Sequence, residues 1–593
     1  MGIQTVKYLI TSALPYINGV KHLGNLIGSM LPGDVYARFL RQQNKEVLYI
    51  CGTDEHGTPA EIAAIEAGMG IREYCDLLHT QQKEIYEGFN LSFDYFGRSS
   101  TESNKQFTQE MFLALDKNNL IIERELDQVY SKQDQRFLPD RYITGTCPHC
   151  NYDKARGDQC DQCGKLLNPV DLIKPKSAIS GSEDLETRKE KHLFFNLEKM
   201  SETLKNWIDS QESKPGPKWP NLSISIAKKW LSEGLKERCI SRDLDWGVPI
   251  PKKGYELKVF YVWFDAPMAY VSITQDWARE VKKSPEDWKR WWLNSSEGQD
   301  QDTHYVQFMA KDNVAFHSII WPAALLGAGL NSGLNSGLNN GKSWKMVDVL
   351  KSFHWLTYEN GKFSTSQKRG VFSDVALTLF KADTWRYYLM ANIPESHDSD
   401  FKFPDFVGVI NKDLVGTLGN FVNRVAALVK KYFDNKIPDY KNLENKYLDE
   451  LNPLSMGLVR EINQDYFDLN FRSALRKIRE LWCLGNEFIS RSEPWKVAKT
   501  NLPEAGGILA ACLNLMRVMA IVSFPVVPET SEKIFEYLVL DKKDLAKLNS
   551  EDLGEQAGSL NCLKPGQDLS DIGLLFEKIS PEQEAELVER FGV

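Results

Sequence analysis

The N-terminal part of the chain alternates short apolar runs with a helical pattern. Residues 6–12 form a β-rich apolar run, and a turn-rich stretch over residues 13–21 follows it. Apolar residues then recur at helical spacing to about Gln42, and residues 47–51 form a second run typical of a buried strand. This order of strand, loop, helix and strand predicts a parallel α/β sheet. Because such sheets bind ligands beyond the carboxyl ends of their strands, the segments after residues 12 and 51 are the first candidates for a site.

The later pattern divides the chain into further parts. A polar, basic stretch from about 120 to 245 interrupts the α/β pattern and predicts an inserted domain, after which 259–264 and 304–309 are strand candidates. The small polar repeat at 329–342 predicts a surface loop. After about residue 405 only helical apolar spacing is found, which predicts an all-α domain. The predicted boundaries are 1–120 and 246–350 for the two halves of the α/β domain, 121–245 for the insertion, 351–404 for a connecting region and 405–593 for the helical domain.

Composition excludes several classes of protein. The 593 residues are 42% hydrophobic and 26% charged, which is ordinary for a globular chain and excludes extensive disorder. The net charge of −9 excludes a non-specific nucleic-acid coat, so any nucleic acid must meet a local patch or specific contacts. The most apolar stretch, 508–527, contains Asn514, Arg517 and Pro525, and we therefore expect a buried helix and no membrane span.

Four of the ten cysteines form a metal-binding pattern. Cys147, Cys150, Cys160 and Cys163 have the spacing C-x2-C-x9-C-x2-C, which can supply four thiolates to one tetrahedral Zn²⁺. Four protein ligands leave no position for water, so the predicted zinc is structural. His149 is a possible but unneeded ligand. The other six cysteines are scattered, which favours a reducing, cytoplasmic setting.

Two segments are suited to binding phosphates. Between the first strand and its helix lie His22, a hydrogen-bond donor, and Gly24, which allows a ligand to approach the backbone at the helix N-terminus. A small-polar, basic loop at 360–370 carries Lys362, Lys368 and Arg369 and could close over a polyphosphate. Taken singly, the first segment could equally be a structural helix cap and the second a solvated turn.

The two segments together resemble the HxGH-type and KMSKS-type motifs of class I aminoacyl-tRNA synthetases. Three further segments, at 51–58, 261–267 and 311–318, narrow the resemblance to the methionyl-tRNA synthetase family, and it extends from about residue 5 to about 580. The resemblance implies a Rossmann-like α/β catalytic domain with an inserted zinc-knuckle domain and an all-α anticodon-binding domain. It also implies methionine–tRNA ligase activity, in which ATP with Mg²⁺ activates L-methionine for transfer to tRNA(Met) in elongation and initiation. No further C-terminal module is recognised, and a monomer is expected.

The resemblance also implies roles for individual residues. The family's phosphate-binding and catalytic positions match His22, Gly24, Asn25, Asp312, Lys362, Ser364 and Thr365. Its methionine-pocket positions match Ala13, Leu14, Tyr16, Asp54, Arg242, Trp263, Ala266, Pro267, Tyr270 and His317, with Asp54 holding the α-ammonium and Arg242 supporting it. Its anticodon readers match Asn420, Arg424 and Trp495.

The chain departs from the family motifs at two positions. Asn25 stands where the first motif usually ends in His, and Thr365 replaces the second Lys of the loop motif. Asn25 still offers a donor, so we expect activity to survive. Thr365 removes a charge from the pyrophosphate clamp, and we hypothesise that Lys368 or Arg369 compensates.

Three alternatives remain open at this stage. Another class I synthetase of similar architecture would activate a different amino acid, such as leucine or cysteine. A catalytically weakened tRNA-binding protein is conceivable because of Thr365. A zinc-ribbon nucleic-acid module joined to an unrelated α/β domain would leave the pocket motifs unexplained.

Overall fold

The structure is a computed structural model. It describes residues 6–592 except 140–141, 158–159, 161, 164–166, 168, 215, 295–302, 330–342, 366–367, 441–445 and 547–557. Most of the repeat at 329–342 lies outside the described residues, so the surface loop stays a prediction.

Five parallel strands form the central sheet. They are β1 (Lys7–Ser12), β2 (Glu46–Thr53), β3 (Tyr95–Arg98), β4 (Thr303–Ala310) and β5 (Val349–Phe353). Their order across the sheet is β5-β4-β1-β2-β3, and every neighbouring pair is parallel. This is the order of a doubly wound fold, in which the direction of winding reverses between β1 and β4. The predicted Rossmann-like fold class is confirmed, and the reversal leaves a crevice beyond Ser12 and Ala310.

Helices cover both faces of this sheet because its strands are apolar on both sides. Leu9 of β1 packs in the core on one face and Ile10 in the core on the other, and both are completely buried. The α-helices of residues 6–401 are Leu23–Asn25, Leu31–Gln42, Thr58–Glu66, Ile71–Gly88, Glu102–Lys117, Ser201–Ser213, Asn221–Ser232, Val262–Asp265, Ala269–Glu280, Lys289–Trp292, Trp321–Gly329, Ser373–Leu379 and Ala382–Ala391.

The inserted segment is built on a long antiparallel ribbon. Ile121–Ser131 pairs along its whole length with Leu185–Phe195, and two short strands, Arg136–Phe137 and Arg238–Cys239, extend this sheet. A separate small sheet of Ile143–Thr146, Ala155–Arg156 and Ile173–Ser177 surrounds the cysteine cluster. The remaining strands are Ser241–Arg242, paired with Val259–Phe260, and the group Leu356–Tyr358, Gly361–Lys362 and Ser399–Phe401.

One strand prediction is wrong in its second half. The predicted strand at 259–264 is a strand only over Val259–Phe260, and Val262–Asp265 is a helix. Val259–Phe260 pairs with Ser241–Arg242, which is itself only two residues long, so the strand pairing does not extend further. The helix continues through Ala266–Met268 into Ala269–Glu280, so the aromatic and small residues of this motif lie on a helical stretch.

The C-terminal part is helical, as predicted. No strand follows Phe401 in the described part of the chain, and the longest helix pairs pack around completely buried residues such as Trp482 and Leu515. Leu502–Ser523 is the one described helix long and apolar enough to cross a bilayer, and 94% of its most apolar window is buried inside the protein. The expectation of a buried helix there is confirmed. The α-helices are Phe403–Val409, Asn420–Phe433, Lys446–Phe467, Phe471–Ser492, Pro494–Val497, Leu502–Ser523, Pro528–Tyr537, Lys543–Ala546 and Pro581–Phe591.

Three helices contain π-helical segments. They are Leu26–Met30, Phe316–Ile320 and Ile410–Gly419. The first directly follows the His22 motif, and the second contains His317. Wide turns of this kind are frequent at functional sites because they displace a side chain from regular helical spacing.

Candidate active site

A cleft opens at the carboxyl ends of β1 and β4, where the winding of the sheet reverses. Its cavity has a volume of about 260 Å³. The sequence-predicted residues that line it are Ala13, Leu14, His22, Gly24, Asn25, Asp312 and Lys362. Residues from both phosphate-binding motifs therefore face one space, although they are far apart in the chain. His354 and Trp355 also line the cavity and were not anticipated, because nothing in their local sequence marks them.

The first motif forms the start of the helix that leaves β1. His22 has extended backbone angles and precedes Leu23–Asn25, and its N–H donates to Asn25 Oδ1 at 3.2 Å. The side-chain oxygen of Asn25 thus caps the N-terminus of the helix that contains it, and its side-chain nitrogen, Nδ2, can donate to another group. The departure from His at this position is compatible with the local structure.

The basic loop is fastened to the first motif. The Leu23 N–H donates to the Val371 carbonyl at 3.1 Å, and the Ser373 N–H donates to the Lys21 carbonyl at 2.8 Å. Within the loop, Ser364 and Arg369 exchange backbone hydrogen bonds of 3.0 and 2.9 Å. The loop therefore lies over the cleft with Lys362, whose Nζ is 4.5 Å from the centre of the Trp355 ring.

The cations near Thr365 are not equivalent. Arg369 Nη2 donates to the carbonyls of Tyr358 and Glu359 at 3.0 and 3.2 Å, so this guanidinium fastens the base of the loop. Lys368 is exposed and has a left-handed backbone conformation with φ of 51°. Of the two hypothesised substitutes for the missing lysine, Lys368 is the one whose side chain is compatible with that role.

Four of the predicted methionine-pocket residues lie on one helical stretch. Trp263, Ala266, Pro267 and Tyr270 are spaced by three, four and seven residues from Trp263, the spacing of one helix face. The Trp263 ring stacks on Phe316 with centroids 3.7 Å apart, and Tyr16 meets its edge at 5.9 Å. Phe316 was not predicted as a pocket residue, because its contact with Trp263 joins two distant segments.

Tyr270 and His317 form a hydrogen-bonded pair with a defined direction. His317 Nδ1 is 2.9 Å from the Asn313 carbonyl, which can only accept, so Nδ1 carries the proton. The Tyr270 hydroxyl is 2.9 Å from the other nitrogen, Nε2, and donates to it. Burial lowers the pKa of His317 to about 4, which keeps the imidazole neutral at neutral pH. The pair is thus polar and uncharged, and both of its side chains are buried.

Asp54 is a buried carboxylate without a complete set of partners. Its backbone is fixed to the segment after β1, since the Asp54 N–H donates to the Pro15 carbonyl and the Ile17 N–H donates to the Asp54 carbonyl, each at 2.9 Å. Its Oδ1 is buried and has no hydrogen-bond partner among the described residues. Burial, then the nearby Asp265 and Glu55, raise the pKa of Asp54, so a cation beside it would be needed to stabilise its ionised form.

Lys21 is a buried cation whose charge acts on Asp54, and it was missed from the sequence. Burial lowers the pKa of Lys21 to about 7, and the attraction of Asp54 opposes this shift. Its Nζ donates to Asn18 Oδ1 at 2.6 Å. The signal that could have revealed Lys21 is its position one residue before His22.

His56 and Asp265 connect two of the family segments directly. His56 Nδ1 lies 2.5 Å from Asp265 Oδ2, and both side chains are buried. Asp265 follows Trp263 on the same helical stretch, so the pair fixes the pocket helix to the segment that carries Asp54. Sequence reasoning assigned no role to either residue, since their pairing depends on the fold.

Arg242 borders a second cavity beside the methionine pocket. This cavity, of about 280 Å³, is also lined by Tyr16, Trp263 and Tyr261. The Arg242 guanidinium lies 4.0 Å from the centre of the Tyr261 ring, and its Nη1 donates to the Ser241 carbonyl at 2.9 Å. The structure therefore places Arg242 with the predicted pocket aromatics.

The four clustered cysteines converge as a metal site requires. Their sulfur atoms all lie within 4.8 Å of one another, with 3.9 Å between Cys147 and Cys163 and 3.5 Å between Cys150 and Cys160. Zinc–sulfur bonds of about 2.3 Å in a tetrahedron give sulfur–sulfur distances of about 3.8 Å. The cluster could therefore bind zinc, and it lies in the inserted segment, away from the cleft.

The predicted anticodon residues lie together on the helical domain. Arg424 is 5.5 Å from the centre of the Trp495 ring and donates to Ser490 Oγ at 3.1 Å. Asn420, four residues earlier on the same helix, donates to Asn486 Oδ1 at 2.9 Å and is exposed. Trp495 lies in the short helix that Pro494 begins, after the left-handed Glu493 ends the preceding helix.

Comparisons with known proteins agree with this architecture. The family described as tRNA synthetases class I (M) matches residues 8–426, and the anticodon binding domain of methionyl tRNA ligase matches residues 439–593. Methionine–tRNA ligase 1 of Acaryochloris marina is 49% identical over 587 residues, covering 99% of this chain and 100% of the relative. The methionine–tRNA ligase of Streptomyces avermitilis is 48% identical, with 99% of both chains covered.

A solved structure supports the fold. The methionyl-tRNA synthetase of Mycobacterium tuberculosis in complex with methionyl-adenylate superimposes with a TM-score of 0.74 and 22% identity, covering 96% of this chain and all of the other. The family matches together cover most of the chain, and relatives close to half identical extend over its full length. The chain therefore belongs to the methionyl-tRNA synthetase family of class I tRNA synthetases.

Proposed function

We propose that this chain is a methionine–tRNA ligase that converts methionine and ATP into methionyl-adenylate and diphosphate, and then charges tRNA(Met). The observation that carries the proposal is the single cleft that residues of both phosphate-binding motifs line together with Ala13 and Leu14, two of the predicted methionine-pocket positions. An apolar pocket with one neutral polar pair suits a thioether side chain better than a charged or strongly polar one. Charging of tRNA(Met) would serve both elongation and initiation.

The first chemical step needs positioning more than proton transfer. The methionine carboxylate is already an anion when it attacks the α-phosphate, so no general base is required. Catalysis then depends on alignment and on neutralising the charge that develops on the phosphates. We assign this role to His22, the backbone at Gly24, and Lys362, with Ser364 and Thr365 in the loop. Asn25 and Asp312 would bind the nucleotide, and Mg²⁺ would accompany ATP.

Asp54 would bind the α-ammonium of methionine. Its buried Oδ1 lacks a hydrogen-bond partner among the described residues, and burial and two neighbouring carboxyl groups raise its pKa, so its ionised form would be stabilised by the α-ammonium. The pocket walls would be Ala13, Leu14, Tyr16, Trp263, Ala266, Pro267, Tyr270 and His317. Arg242, beside Tyr16 and Trp263, would support the substrate from the neighbouring cavity.

Lys368 would supply the charge that Thr365 removes. Because Arg369 is engaged by loop carbonyls, we expect Lys368→Ala to depress adenylate formation and Arg369→Ala to loosen the loop. The measurement is the kcat of ATP–pyrophosphate exchange alongside the methionine dissociation constant. If Lys368→Ala weakens exchange and methionine binding equally, or weakens neither, Lys368 does not compensate for Thr365.

The other domains would serve tRNA binding. One structural Zn²⁺ held by Cys147, Cys150, Cys160 and Cys163 would stabilise the inserted domain. Asn420 and Arg424 would bond to anticodon base edges, and Trp495 would stack on an unpaired base. We expect a cytoplasmic monomer.

An ATP–pyrophosphate exchange assay with a panel of amino acids tests the proposal. We expect methionine to support exchange, and leucine and cysteine to fail. Exchange with leucine or cysteine would indicate a different class I synthetase. Absence of exchange with every amino acid, together with retained tRNA binding, would indicate a tRNA-binding protein that has lost catalysis.

A further inference from the structure

Phe363, the residue after Lys362 in the loop, lies flat against the His22 ring. The ring centroids are 4.7 Å apart and the ring planes are inclined by only 21°. Parallel stacking at this distance fixes both the position and the tilt of a ring. We propose that Phe363 is a positioning residue that holds His22 in its phosphate-binding orientation when the loop lies over the cleft. This inference rests on the role proposed above for His22.

The Phe363 ring is tightly enclosed. A Cβ at Gly24 would lie 3.3 Å from Phe363 Cδ2 and 3.0 Å from His22 Nδ1, so only glycine leaves full room for both rings. A Cβ at Gly370, where φ is 122°, would overlap the other side of the Phe363 ring. Tyr358 packs against the ring with centroids 5.2 Å apart. Phe363 therefore has little freedom to move independently of its surroundings.

Packing fixes the His22 ring where hydrogen bonding does not. His22 Nδ1 is buried and has no hydrogen-bond partner among the described residues. Burial, and then the charge of Lys21, lower the pKa of His22 to about 3, so the ring is neutral and keeps one N–H donor. The ring of this neutral donor packs between aromatic neighbours, which therefore help to set its direction. Phe372 touches the ring only at its edge, at 6.4 Å and 77°.

Contacts at both ends of the loop join it to the His22 motif, and Phe363 makes one of these contacts. At its C-terminal end, the backbone of Val371 and Ser373 bonds to Leu23 and Lys21. At its N-terminal end, the stack of Phe363 on His22 is the contact beside Lys362. Displacement of the Phe363 side chain would therefore remove the ring on which His22 stacks.

Phe363→Leu tests the inference in the full-length protein. We expect the kcat of methionine-dependent pyrophosphate exchange to fall about 10- to 100-fold, since small misplacements of catalytic groups cause losses of this size. The methionine dissociation constant should change less than about twofold. Phe363→Tyr keeps the ring and should retain most activity. His22→Asn should also lower kcat, and the double variant should be no worse than His22→Asn alone, because the two residues act as one unit.

Phe401→Leu is the matched control. Phe401 is buried and stacks on Tyr358 at 5.8 Å and 14°. We expect this variant to lower the thermal midpoint without a comparable loss of exchange. If Phe401→Leu and Phe363→Leu lose exchange equally, Phe363 is merely a packing residue and the inference fails.

Two further outcomes separate this inference from the proposed function. A wild-type protein without exchange would contradict the proposed function, and this inference with it. An active wild-type protein whose Phe363→Leu variant is equally active, or whose double variant shows the product of the two single losses, would overturn the inference alone.

Discussion

Arg386 Nη2 donates to Asp34 Oδ2 at 2.6 Å, and both side chains are completely buried where the catalytic sheet meets the helical domain. The same guanidinium donates to the carbonyls of Phe89, Pro525 and Val526. Asp34 lies on the helix Leu31–Gln42 of the catalytic domain, and Pro525 and Val526 directly follow the helix Leu502–Ser523. Arg386 therefore links these two helices. The surrounding charges, chiefly Arg38 and Arg386, lower the pKa of Asp34 to about 2 against the effect of burial.

Arg386→Leu should therefore destabilise the contact between the two domains. It leaves Asp34 buried next to carbonyl oxygens that have lost their donor, and the expected cost is about 3–5 kcal/mol. The measurement is the denaturant midpoint followed by tryptophan fluorescence. Lys430→Ala, which breaks the exposed pair with Asp571, is the matched control and should leave the midpoint unchanged. If Arg386→Leu and Lys430→Ala shift the denaturant midpoint equally, the buried Arg386–Asp34 pair contributes no more to stability than an exposed pair.

The zinc proposal predicts a stoichiometry. We expect one zinc per chain by elemental analysis, and loss of this zinc in Cys150→Ser with a lower thermal midpoint, because the free energy of metal binding to a structural site stabilises the fold around it. Cys562→Ser removes an exposed cysteine outside the cluster and should keep the zinc. Metal retained by Cys150→Ser, or absent from the wild-type protein, would show that the four thiols do not form this site.

Acidification should destabilise the protein partly through His317. Burial lowers the pKa of His317 from 6.5 to about 4, so the unfolded chain binds more protons than the folded one between these values. The stabilising contribution of neutral His317 is therefore full above about pH 6.5 and is lost as the pH falls towards 4. The free energy of unfolding should be lower by about 2 kcal/mol at pH 5 than at neutral pH. His317→Gln keeps a donor for the Asn313 carbonyl and should show a smaller drop in thermal midpoint between about pH 7 and pH 5. An unchanged drop would mean that His317 is already protonated or exposed.

Trp495→Ala should separate tRNA charging from amino-acid activation. Loss of a stacking plane costs about 1–3 kcal/mol, so kcat/KM for tRNA(Met) should fall roughly 10- to 100-fold. Pyrophosphate exchange should be unaffected, because Trp495 lies in the helical domain with Arg424. Trp495→Phe keeps an aromatic plane and should retain most charging. Parallel loss of both activities in Trp495→Ala would favour a structural role for the residue.

Features with local sequence signals were predictable. The strand at 6–12, the helix after it and the helices after residue 405 follow from the spacing of apolar residues, and the cysteine cluster follows from its C-x2-C pattern. The parallel pairing of β1 with β4 could be expected only from the resemblance, since about 290 residues separate the two strands.

Other features depend on contacts that the chain order does not reveal. The predicted strand at 259–264 contains Val, Trp and Phe, which favour strands, but the structure has a strand only over Val259–Phe260 and a helix over Val262–Asp265. The regular spacing from Trp263 to Tyr270 already contained the helical signal. Phe316 on Trp263, His56 on Asp265 and Phe363 on His22 are contacts between distant segments, so local patterns could not place them.

The central claim is that separate motifs form one cleft that joins methionine to adenylate. The most direct measurement is a crystal structure with a non-hydrolysable methionyl-adenylate analogue. We predict that the thioether lies among Trp263, Tyr270 and His317, the ammonium at hydrogen-bond distance from Asp54, and the phosphate beside His22 and Lys362. An analogue bound elsewhere, or an ammonium that does not contact Asp54 while the side chain avoids Trp263, would contradict it.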